Sequence, residues 1–270
     1  MIHCPLCKGA SNRIWKERKH RVYRCKNCSV AFLEPVPECV EKTYSKDYFQ
    51  EWYIKYYEER KQYTENLFLL LEEHIKAKGK LLDVGCGVGI LLETAKEKGW
   101  DVYGQDIAPF PAAYCKEKGF NIFNGPLQEL NFPEESFDVI TMFDVLAHLK
   151  DPVSYINTSV KLLKPDGYLI IKTPHHPCSL FFLANLLSFT GKSRSLLHIP
   201  AQIFHFTSHS LSTVLSAENL KMVYLIRQND FSSYSGKHPL LLMIPSKTVS
   251  LLTLWKKQIK EKTYASEIKK

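Results

Sequence analysis

Four cysteines near the N-terminus have the spacing of metal ligands. Cys4 and Cys7 form one C-x-x-C pair, and Cys25 and Cys28 form a second pair 17 residues further along the chain. Each pair can make a tight turn that presents two thiolates to one ion, and two such pairs complete a tetrahedral four-thiolate site. Because that site leaves no open coordination position, we expect a structural Zn²⁺ ion there. A redox role is less favoured, because a redox C-x-x-C pair would occur once.

A glycine-rich turn runs from Asp83 to Gly89, between a predicted strand and a predicted helix. Its glycines permit unusual backbone angles and let a ligand approach the backbone N–H groups closely. Asp106 ends the next predicted strand, 21 residues after Gly85, where a carboxylate can accept two hydrogen bonds from ribose hydroxyls. The pattern therefore predicts a nucleoside site. An NAD site is the rival interpretation, although its usual G-x-G-x-x-G spacing differs from the G-x-G-x-G found here. A turn with a purely structural role is the second alternative.

Five histidines are candidates for chemistry. His148 lies one turn beyond the fourth predicted strand, near the sheet edge where ligands bind. The ordinary pKa of an imidazole suits a general base near neutral pH, so His148 is the predicted catalytic residue; a histidine that only packs or orients substrate is the alternative. His175, His176, His205 and His209 flank a long apolar stretch, and each by itself is better explained as structural.

Short apolar runs alternate with helical stretches from residue 80 to residue 173, which predicts βαβ units and a parallel sheet. The predicted strands are 81–84, 101–106, 121–123, 137–142 and 168–173, followed by 221–227 and a further candidate at 239–244. The predicted helices are 89–98, 111–118, 153–163 and 208–218. Leu251, Leu252 and Trp255 share one helical face, so we expect a helix in the C-terminal tail.

The predicted elements divide the chain into four parts. These are a zinc ribbon at 1–37, an aromatic-rich helical cap at 38–79, an α/β core at 80–246 and a helical tail at 247–270. The core carries an insertion at about 174–206 that we expect to form a lid. Its apolar run, 180–189, is interpreted as a lid or pocket wall, with a membrane-surface helix as the alternative.

The composition is that of a globular protein. The chain has 270 residues, of which 45% are hydrophobic, enough for one good-sized domain and a small appendage. No apolar run is long enough to span a bilayer, so a cytoplasmic location is expected. The net charge is +8, and basic residues concentrate at the two ends; a solvated surface is favoured over a nucleic-acid site. The sequence leaves the oligomeric state open.

The turn at 83–89 resembles motif I of the class I S-adenosylmethionine-dependent methyltransferases. Four later segments resemble this family's remaining motifs in the right order, namely 103–107, 127–133, 136–149 and 163–171. The resemblance implies an α/β, Rossmann-like fold with a seven-stranded, mostly parallel sheet and helices on both faces. Residues 23–49 resemble a subgroup of these enzymes that has an N-terminal ribbon and a tyrosine-bearing cap.

The same resemblance implies a cofactor site. S-adenosylmethionine is the implied cofactor, with Asp106 holding its ribose and Phe143 against its amino-acid end. Tyr44 and Tyr48 are candidates to close over the sulfonium, because aromatic faces attract cations; packing of the cap is the alternative. The implied cofactor-binding residues are Asp83, Gly85, Gly87, Gly89, Asp106, Ile107, Leu127, Gln128 and Phe143.

The favoured function is methyl transfer to a small-molecule acceptor, on an oxygen or a carbon of a sugar, lipid precursor or secondary metabolite. Transfer from a sulfonium is an in-line displacement, so the protein must align the acceptor, exclude water and, where the acceptor needs it, remove a proton. An RNA or protein methyltransferase that uses the basic ribbon for recognition is one alternative. The sequence at 142–145 counts against it, because the Asn-Pro-Pro-Tyr-like tetrad of many base-methylating enzymes is absent there. A non-catalytic cofactor-binding protein is the other alternative, against which the intact glycine turn argues.

Overall fold

The computed structural model describes residues 2–17, 19–37, 44–76, 78–187, 197–229 and 249–258. Its strands are β1 Ile2–His3, β2 Ala10–Glu17, β3 His20–Cys25, β4 Ala31–Glu34, β5 Lys80–Val84, β6 Asp101–Asp106, β7 Asn121–Asn124, β8 Phe137–Phe143, β9 Leu163–Pro174, β10 Phe204–His205, β11 Leu220–Asn229 and β12 Val249–Lys257. Its α-helices are α1 Lys46–Phe49, α2 Tyr57–Glu72, α3 Ile90–Glu97, α4 Pro109–Glu117, α5 Pro152–Leu162, α6 Cys178–Leu187 and α7 Ser208–Ser216. Shorter turns include a π-helical turn at Gln50–Ile54 and 3₁₀ turns at Leu127–Glu129 and Leu146–His148.

A seven-stranded sheet forms the centre of the α/β core, with the strand order β11-β12-β9-β8-β5-β6-β7. β5 pairs in parallel with β6 and β8, and β7 and β9 continue the sheet in the same sense. β12 is antiparallel to both of its neighbours. The carboxyl ends of β5, β6 and β8 therefore meet at one edge of the sheet, where ligand-binding loops emerge. The predicted fold, a mostly parallel seven-stranded sheet, is confirmed.

Helices cover both faces of this sheet. On one face, α2 and α3 bury Phe68 and Leu92 against the strands. On the other face, α5 and α7 bury Ile156 and Leu215. Strands covered on both faces carry near-continuous apolar runs, which is why Leu169 to Ile171 on β9 are all buried.

The helical tail predicted at 247–270 is wrong for residues Val249–Lys257, which form β12. This strand lies between β9 and β11, with Leu252 opposite Lys172 and Leu251 opposite Thr173. Leu251 and Trp255 face one core and Leu252 and Leu254 face the other, all fully buried. A strand buried on both faces has no two-residue alternation, so its apolar spacing also fits a helix.

The cysteine-rich ribbon and the insertion share one sheet. Strand β10 of the insertion pairs with β4, placing Phe204 opposite Phe32, and the Leu33 N–H donates to the Ile203 carbonyl at 3.0 Å. Trp15 and Leu33 of the ribbon pack with Phe181 of α6 in one buried cluster. The ribbon is therefore joined to the α/β core through the insertion.

The aromatic cap is fixed to the core by α2. On α2, Lys61 lies 2.9 Å from a carboxylate oxygen of Glu93 and 2.7 Å from one of Glu97, both on α3. The Tyr57 hydroxyl also donates to Glu93. Ser45 caps the start of α1, because its hydroxyl accepts the Tyr48 N–H at 3.2 Å. Phe49 of α1 and Tyr53 of the π-helical turn pack with Val88 and Ile90, which places both elements over the start of α3.

Several predicted elements end within a few residues of their observed limits, for example α4 and α7. The predicted strand at 239–244 and the end of the tail, 259–270, lie outside the described residues. None of the helices within the described ranges has both the length and the apolar character needed to cross a bilayer.

Candidate active site

A cavity of about 390 Å³ opens at the carboxyl edge of the sheet, beneath the aromatic cap. Residues of the glycine turn, of the ends of β6 and β8, and of the cap contribute its walls. Of the predicted site residues, the lining includes Tyr44, Tyr48, Asp83, Gly85, Gly87, Asp106, Ile107, Phe143 and His148. The structure thus brings most of the predicted residues together in one cavity.

The glycine turn needs glycine where the backbone adopts left-handed angles. Gly85 has φ +70°, and a Cβ there would lie 2.5 Å from a methyl carbon of Val145. Gly89, with φ +80°, starts α3, and its added Cβ would lie 2.8 Å from the sulfur of Cys115. A side chain at either position would be strained and would also collide with a neighbour. The conformation of the turn and its close packing therefore both require glycine at these two positions.

Asp106 braces the turn from the end of β6. Its two carboxylate oxygens accept the Gly87 N–H at 2.9 Å and the Ala108 N–H at 2.8 Å. Each carboxylate oxygen can accept a second hydrogen bond, so Asp106 retains acceptors for the hydroxyls of a bound sugar. Burial raises the pKa of Asp106, while the bonds from Ala108 and Gly87 favour the ionised form.

Asp83 is the second buried carboxyl group in the cavity wall. The Thr141 hydroxyl donates to it at 2.6 Å, and only 4% of the residue is exposed. Burial raises the pKa of Asp83 to about 7, the Thr141 bond opposes this change, and the nearby charge of Asp106 adds to it. Asp83 therefore titrates near neutral pH, and a cationic ligand group beside it would favour its ionised form.

His148 has a defined tautomer. Its Nδ1 lies 2.8 Å from the carbonyl oxygen of Ala201 in the insertion, and because a carbonyl only accepts, Nδ1 carries the proton. Nε2 is then the nitrogen with a lone pair, on a ring that lines the cavity. Burial lowers the pKa of His148, so the imidazole is neutral at pH 7. The Ile203 N–H donates to the Ala147 carbonyl at 2.7 Å, which holds the insertion against this turn.

The aromatic cap lies directly over the glycine turn. A Cβ placed on Gly87 would lie 3.8 Å from a ring carbon of Phe49 and 3.9 Å from one of Tyr53. The rings of Tyr44 and Tyr48 meet edge to face at 5.6 Å, and Tyr44 meets His148 at 6.3 Å. The cap thus forms a continuous aromatic wall between the turn and His148.

Three predicted cofactor residues do not line the cavity. Gly89 lies beneath the turn at the start of α3. Leu127 is fully buried, and Gln128 donates to the Ser154 hydroxyl at 2.9 Å.

The flanking histidines lie elsewhere. His176 and His205 are buried with ring centroids 4.8 Å apart, between the ribbon and the insertion. Burial lowers the pKa of His205 to about 4, so this ring is neutral at pH 7. His175 is half-buried on the same segment, and His209 is exposed on α7.

Sequence reasoning missed a set of charged and phenolic side chains in the same cavity. They are Tyr53, Arg60, Tyr63, Asp144 and Lys172. Two signals in the sequence could have found members of this set. Lys172 is the one charged residue in the mostly apolar run 168–173, and Asp144 lies two residues after the predicted strand 137–142.

The four N-terminal cysteines converge as predicted. Their sulfur atoms all lie within 4.8 Å of one another, with Cys4 to Cys28 at 3.8 Å and Cys7 to Cys25 at 3.4 Å. A tetrahedral zinc with Zn–S bonds of about 2.3 Å separates its sulfurs by about 3.8 Å. Each C-x-x-C pair is followed by a left-handed residue, Lys8 with φ 60° and Ser29 with φ 62°. The donor set and its spacing fit Zn²⁺.

Comparison with known proteins agrees with this geometry. A family model described as a methyltransferase domain matches residues 49–225. The ubiquinone biosynthesis O-methyltransferase of Cereibacter sphaeroides is 35% identical over 111 residues, which cover 39% of this chain and 45% of that relative. The chain therefore spans less than half of the length of this curated relative.

Solved structures resemble the fold. A protein of Pyrococcus horikoshii OT3 matches with a TM-score of 0.57 at 17% identity, covering 79% of this chain and 100% of that one. A [4+2]-cyclase matches with a TM-score of 0.55 at 15% identity, covering 72% and 82%. At such identities the likeness concerns the fold alone, since one fold hosts different reactions. The family model, however, covers more than half of the chain and includes the glycine turn, Asp106 and His148; the chain belongs to the methyltransferase-domain family, and its predicted membership of the class I S-adenosylmethionine-dependent methyltransferases is confirmed.

Proposed function

We propose that this protein transfers a methyl group from S-adenosylmethionine to a hydroxyl oxygen of a small-molecule acceptor. One observation carries the proposal: the glycine turn, Asp106 and His148 border a single cavity. A nucleoside bound through Asp106 would have its reacting end under the aromatic cap, within the same enclosure as the imidazole. The relatives named for ubiquinone biosynthesis O-methylation support an oxygen acceptor on a small molecule.

The cofactor would be held by the turn and by the ends of β5 and β6. Asp106 is assigned to the ribose hydroxyls, and Asp83 provides negative charge for the cationic amino-acid end. Gly85 and Gly87 leave the backbone accessible, and Ile107 and Phe143 supply apolar contacts. When bound, S-adenosylmethionine supplies a methyl group already activated by the sulfonium charge. The aromatic cap excludes water and offers ring faces that attract such a cation.

His148 is assigned the role of proton acceptor. Nε2 is unprotonated at neutral pH, and the Ala201 carbonyl fixes the ring through Nδ1. A hydroxyl held at Nε2 becomes a better nucleophile as its proton passes to the imidazole. Ala201 belongs to the insertion, so the insertion is inferred to set the orientation of the catalytic ring.

The four-cysteine cluster is assigned to a structural zinc ion. Four protein thiolates fill a tetrahedral site, which leaves no position for substrate. The ion would stabilise the ribbon, whose own core is small, and the ribbon in turn supports β10 of the insertion. None of the six cysteines with described side chains forms a disulfide, which suits a reducing compartment such as the cytoplasm.

Calorimetry with S-adenosylhomocysteine tests the cofactor assignment, and NAD is the comparison ligand. We expect the homocysteine nucleoside to bind and NAD not to bind. Asp106→Asn should weaken the binding by about tenfold or more, because hydrogen bonds to a charged group are lost. Asp166→Asn, on an exposed carboxyl group of the β9 turn, is the matched control. Binding of NAD in place of S-adenosylhomocysteine would overturn the assignment.

Methyl transfer itself is tested by incubation with S-adenosylmethionine and a panel of catechols, phenols and hydroxybenzoates. Mass spectrometry should show a gain of one methyl group on at least one hydroxyl compound. Methylation of RNA or protein in the same assay, with none of the small molecules modified, would refute the proposed acceptor class.

A further inference from the structure

One short segment of the insertion, residues 201–206, contacts both the ribbon and the turn that carries the histidine assigned to catalysis. We call it the coupling segment. The Ile203 N–H donates to the Ala147 carbonyl at 2.7 Å, and the Ile203 carbonyl accepts the Leu33 N–H at 3.0 Å. Ala147 precedes His148, and Leu33 belongs to the ribbon strand β4. The two polar backbone groups of a single residue therefore join the ribbon to the catalytic turn.

The same segment holds the imidazole itself. The Ala201 carbonyl oxygen lies 2.8 Å from Nδ1 of His148. Because this contact comes from the backbone, the orientation of the ring follows the path of the coupling segment. A displacement of about 1 Å can lower the rate of a reaction between positioned groups by about a hundredfold. The geometry available for proton transfer therefore depends on how well the backbone at 201–203 is held.

The coupling segment has little regular structure of its own. That structure is limited to the two-residue strand β10 and a single bridge between Phe206 and His175. The His176 N–H donates to the Phe206 carbonyl at 2.8 Å, which joins the end of the segment to the residues that follow β9. An irregular segment keeps one conformation only when its neighbours hold it, because fixing each backbone residue costs conformational entropy. Strand β4, the catalytic turn and the residues after β9 supply those contacts.

Of these neighbours, β4 is the one connected to the four cysteines. It begins three residues after Cys28, so the second C-x-x-C pair leads directly into it. The Cys25 N–H donates to the Val30 carbonyl at 2.9 Å. Phe32 on β4 and Phe204 on β10 are buried in the same cluster as Cys28, and their ring centroids lie 6.4 Å apart. A metal ion that orders the cysteines therefore also orders the start of β4.

The cofactor end of the cavity is held by different contacts. Asp106 accepts the N–H groups of Gly87 and Ala108, and the Gly85 N–H donates to the Gln105 carbonyl at 2.7 Å. These bonds join the glycine turn to β6 and involve neither the ribbon nor the insertion. Loosening the ribbon should therefore disturb the imidazole and spare the nucleoside site.

We infer that the ribbon is a positioning element for catalysis. The four cysteines, when they hold zinc, fix β4; β4 fixes the coupling segment; and the Ala201 carbonyl then holds His148 in its Nδ1–H tautomer. Phe32 and Phe204 are the positioning residues between β4 and the segment. Loss of zinc frees the imidazole to rotate while the nucleoside site stays intact, so the rate of methyl transfer follows the zinc content of the protein. This inference rests on the proposed function, because it gives the cysteine cluster a role in the same reaction.

The experiment removes the support of the ribbon in two ways. Zinc is withdrawn from the whole protein with a chelator, and Phe204→Leu loosens the contact with β4 while all four cysteines remain. Phe68→Leu is the matched control, because Phe68 is a buried phenylalanine of α2 on the other face of the large sheet. Circular dichroism checks the folding of each sample, and elemental analysis checks its zinc. If chelation unfolds the chain, Phe204→Leu decides the question.

The primary readout is the tautomer of His148, which requires neither cofactor nor acceptor. Nitrogen-15 NMR of histidine-labelled protein distinguishes an Nδ1–H ring from an Nε2–H ring, and the signal missing from His148→Ala identifies the residue. The unchanged protein and Phe68→Leu should show the Nδ1–H form alone. Zinc-free protein and Phe204→Leu should show exchange between the two tautomers.

Affinity and rate are measured on the same samples. The affinity for S-adenosylhomocysteine should stay within about twofold, whereas the rate of methyl transfer in zinc-free protein and in Phe204→Leu should fall by about tenfold to a hundredfold. An Nδ1–H signal that survives in folded Phe204→Leu overturns the inference, and so do equal losses of rate in Phe204→Leu and Phe68→Leu. If the unchanged protein fails to bind S-adenosylhomocysteine, the proposed function fails, and the tautomer still decides whether the ribbon positions His148.

Discussion

Replacing Asp83 by asparagine should stabilise the ligand-free protein at high pH. The carboxyl group is buried, and its pKa rises from an ordinary 3.8 to about 7. When the folded pKa of an acid is raised, the unfolded state ionises first. Stability contributed by the protonated form is therefore present below pH 4 and is lost as pH rises to about 7. Asparagine has nearly the same shape and does not titrate, so it avoids this loss.

The size of the effect follows from linkage. Each pH unit between the two pKa values costs the wild-type protein about 1.4 kcal/mol. Between pH 5 and pH 8 the advantage of Asp83→Asn should therefore grow by about 3 kcal/mol, an upper estimate for a buried group. The hydrogen bond from Thr141 survives the change, because the asparagine carbonyl oxygen can accept it.

Urea unfolding followed by circular dichroism at both pH values measures this difference. Other titrating groups cancel when the two proteins are compared at the same pH. Asp166→Asn, whose carboxylate is 56% exposed and paired with Lys256, should show a small difference that changes little with pH. An Asp83→Asn advantage that is equal at pH 5 and pH 8 would refute the argument from burial. The variant should also bind S-adenosylhomocysteine more weakly, which would show that the cost in stability serves ligand binding.

Three further predictions concern catalysis, the glycine turn and the ribbon. His148→Ala should lower the rate of methyl transfer by about 10²-fold or more and leave the affinity for S-adenosylhomocysteine, measured by calorimetry, within about twofold; an unchanged rate would remove His148 from the mechanism. Gly85→Ala should weaken cofactor binding by at least about tenfold, because its Cβ would lie 2.5 Å from a methyl carbon of Val145. Gly119→Ala is the control: it also has a left-handed φ of +79°, but no atom lies within 4 Å of the added carbon. This control should cost only about 1 kcal/mol of stability. Elemental analysis should find about one zinc ion per chain, and Cys25→Ser should lower both the zinc content and the melting temperature; a zinc-free protein with an unchanged melting temperature would exclude a structural metal.

The burial of Asp83 and the bare glycine turn show how the site differs from the rest of the core. Elsewhere in the sheet, most of the buried side chains on both faces are apolar. At the carboxyl edge, the chain keeps two acids away from water and uses glycines with left-handed backbone angles. These features lower stability and are retained where a ligand would compensate for them. This is the reason that a short segment of sequence predicts a binding site at this edge.

The sequence alone determined the features that depend on neighbours in the chain. The two C-x-x-C pairs, the glycine turn and the position of Asp106 after its strand are set by local spacing and backbone requirements. The alternation of strands and helices from residue 80 to residue 173 likewise follows from local periodicity, and with it the parallel sheet.

Only the tertiary structure decided the features that join distant segments. Val249–Lys257 forms a strand that pairs with β9 on one side and with β11 on the other. Both faces of this strand are buried, and burial on both faces erases the alternation that marks a strand in sequence. The partner of His148 is Ala201, and β10 completes the ribbon sheet. The pairing of Lys172 with Asp144 also depends on the neighbouring positions of β8 and β9. No local pattern encodes such contacts, because their energy comes from burial and charge pairing that exist only after the chain has folded.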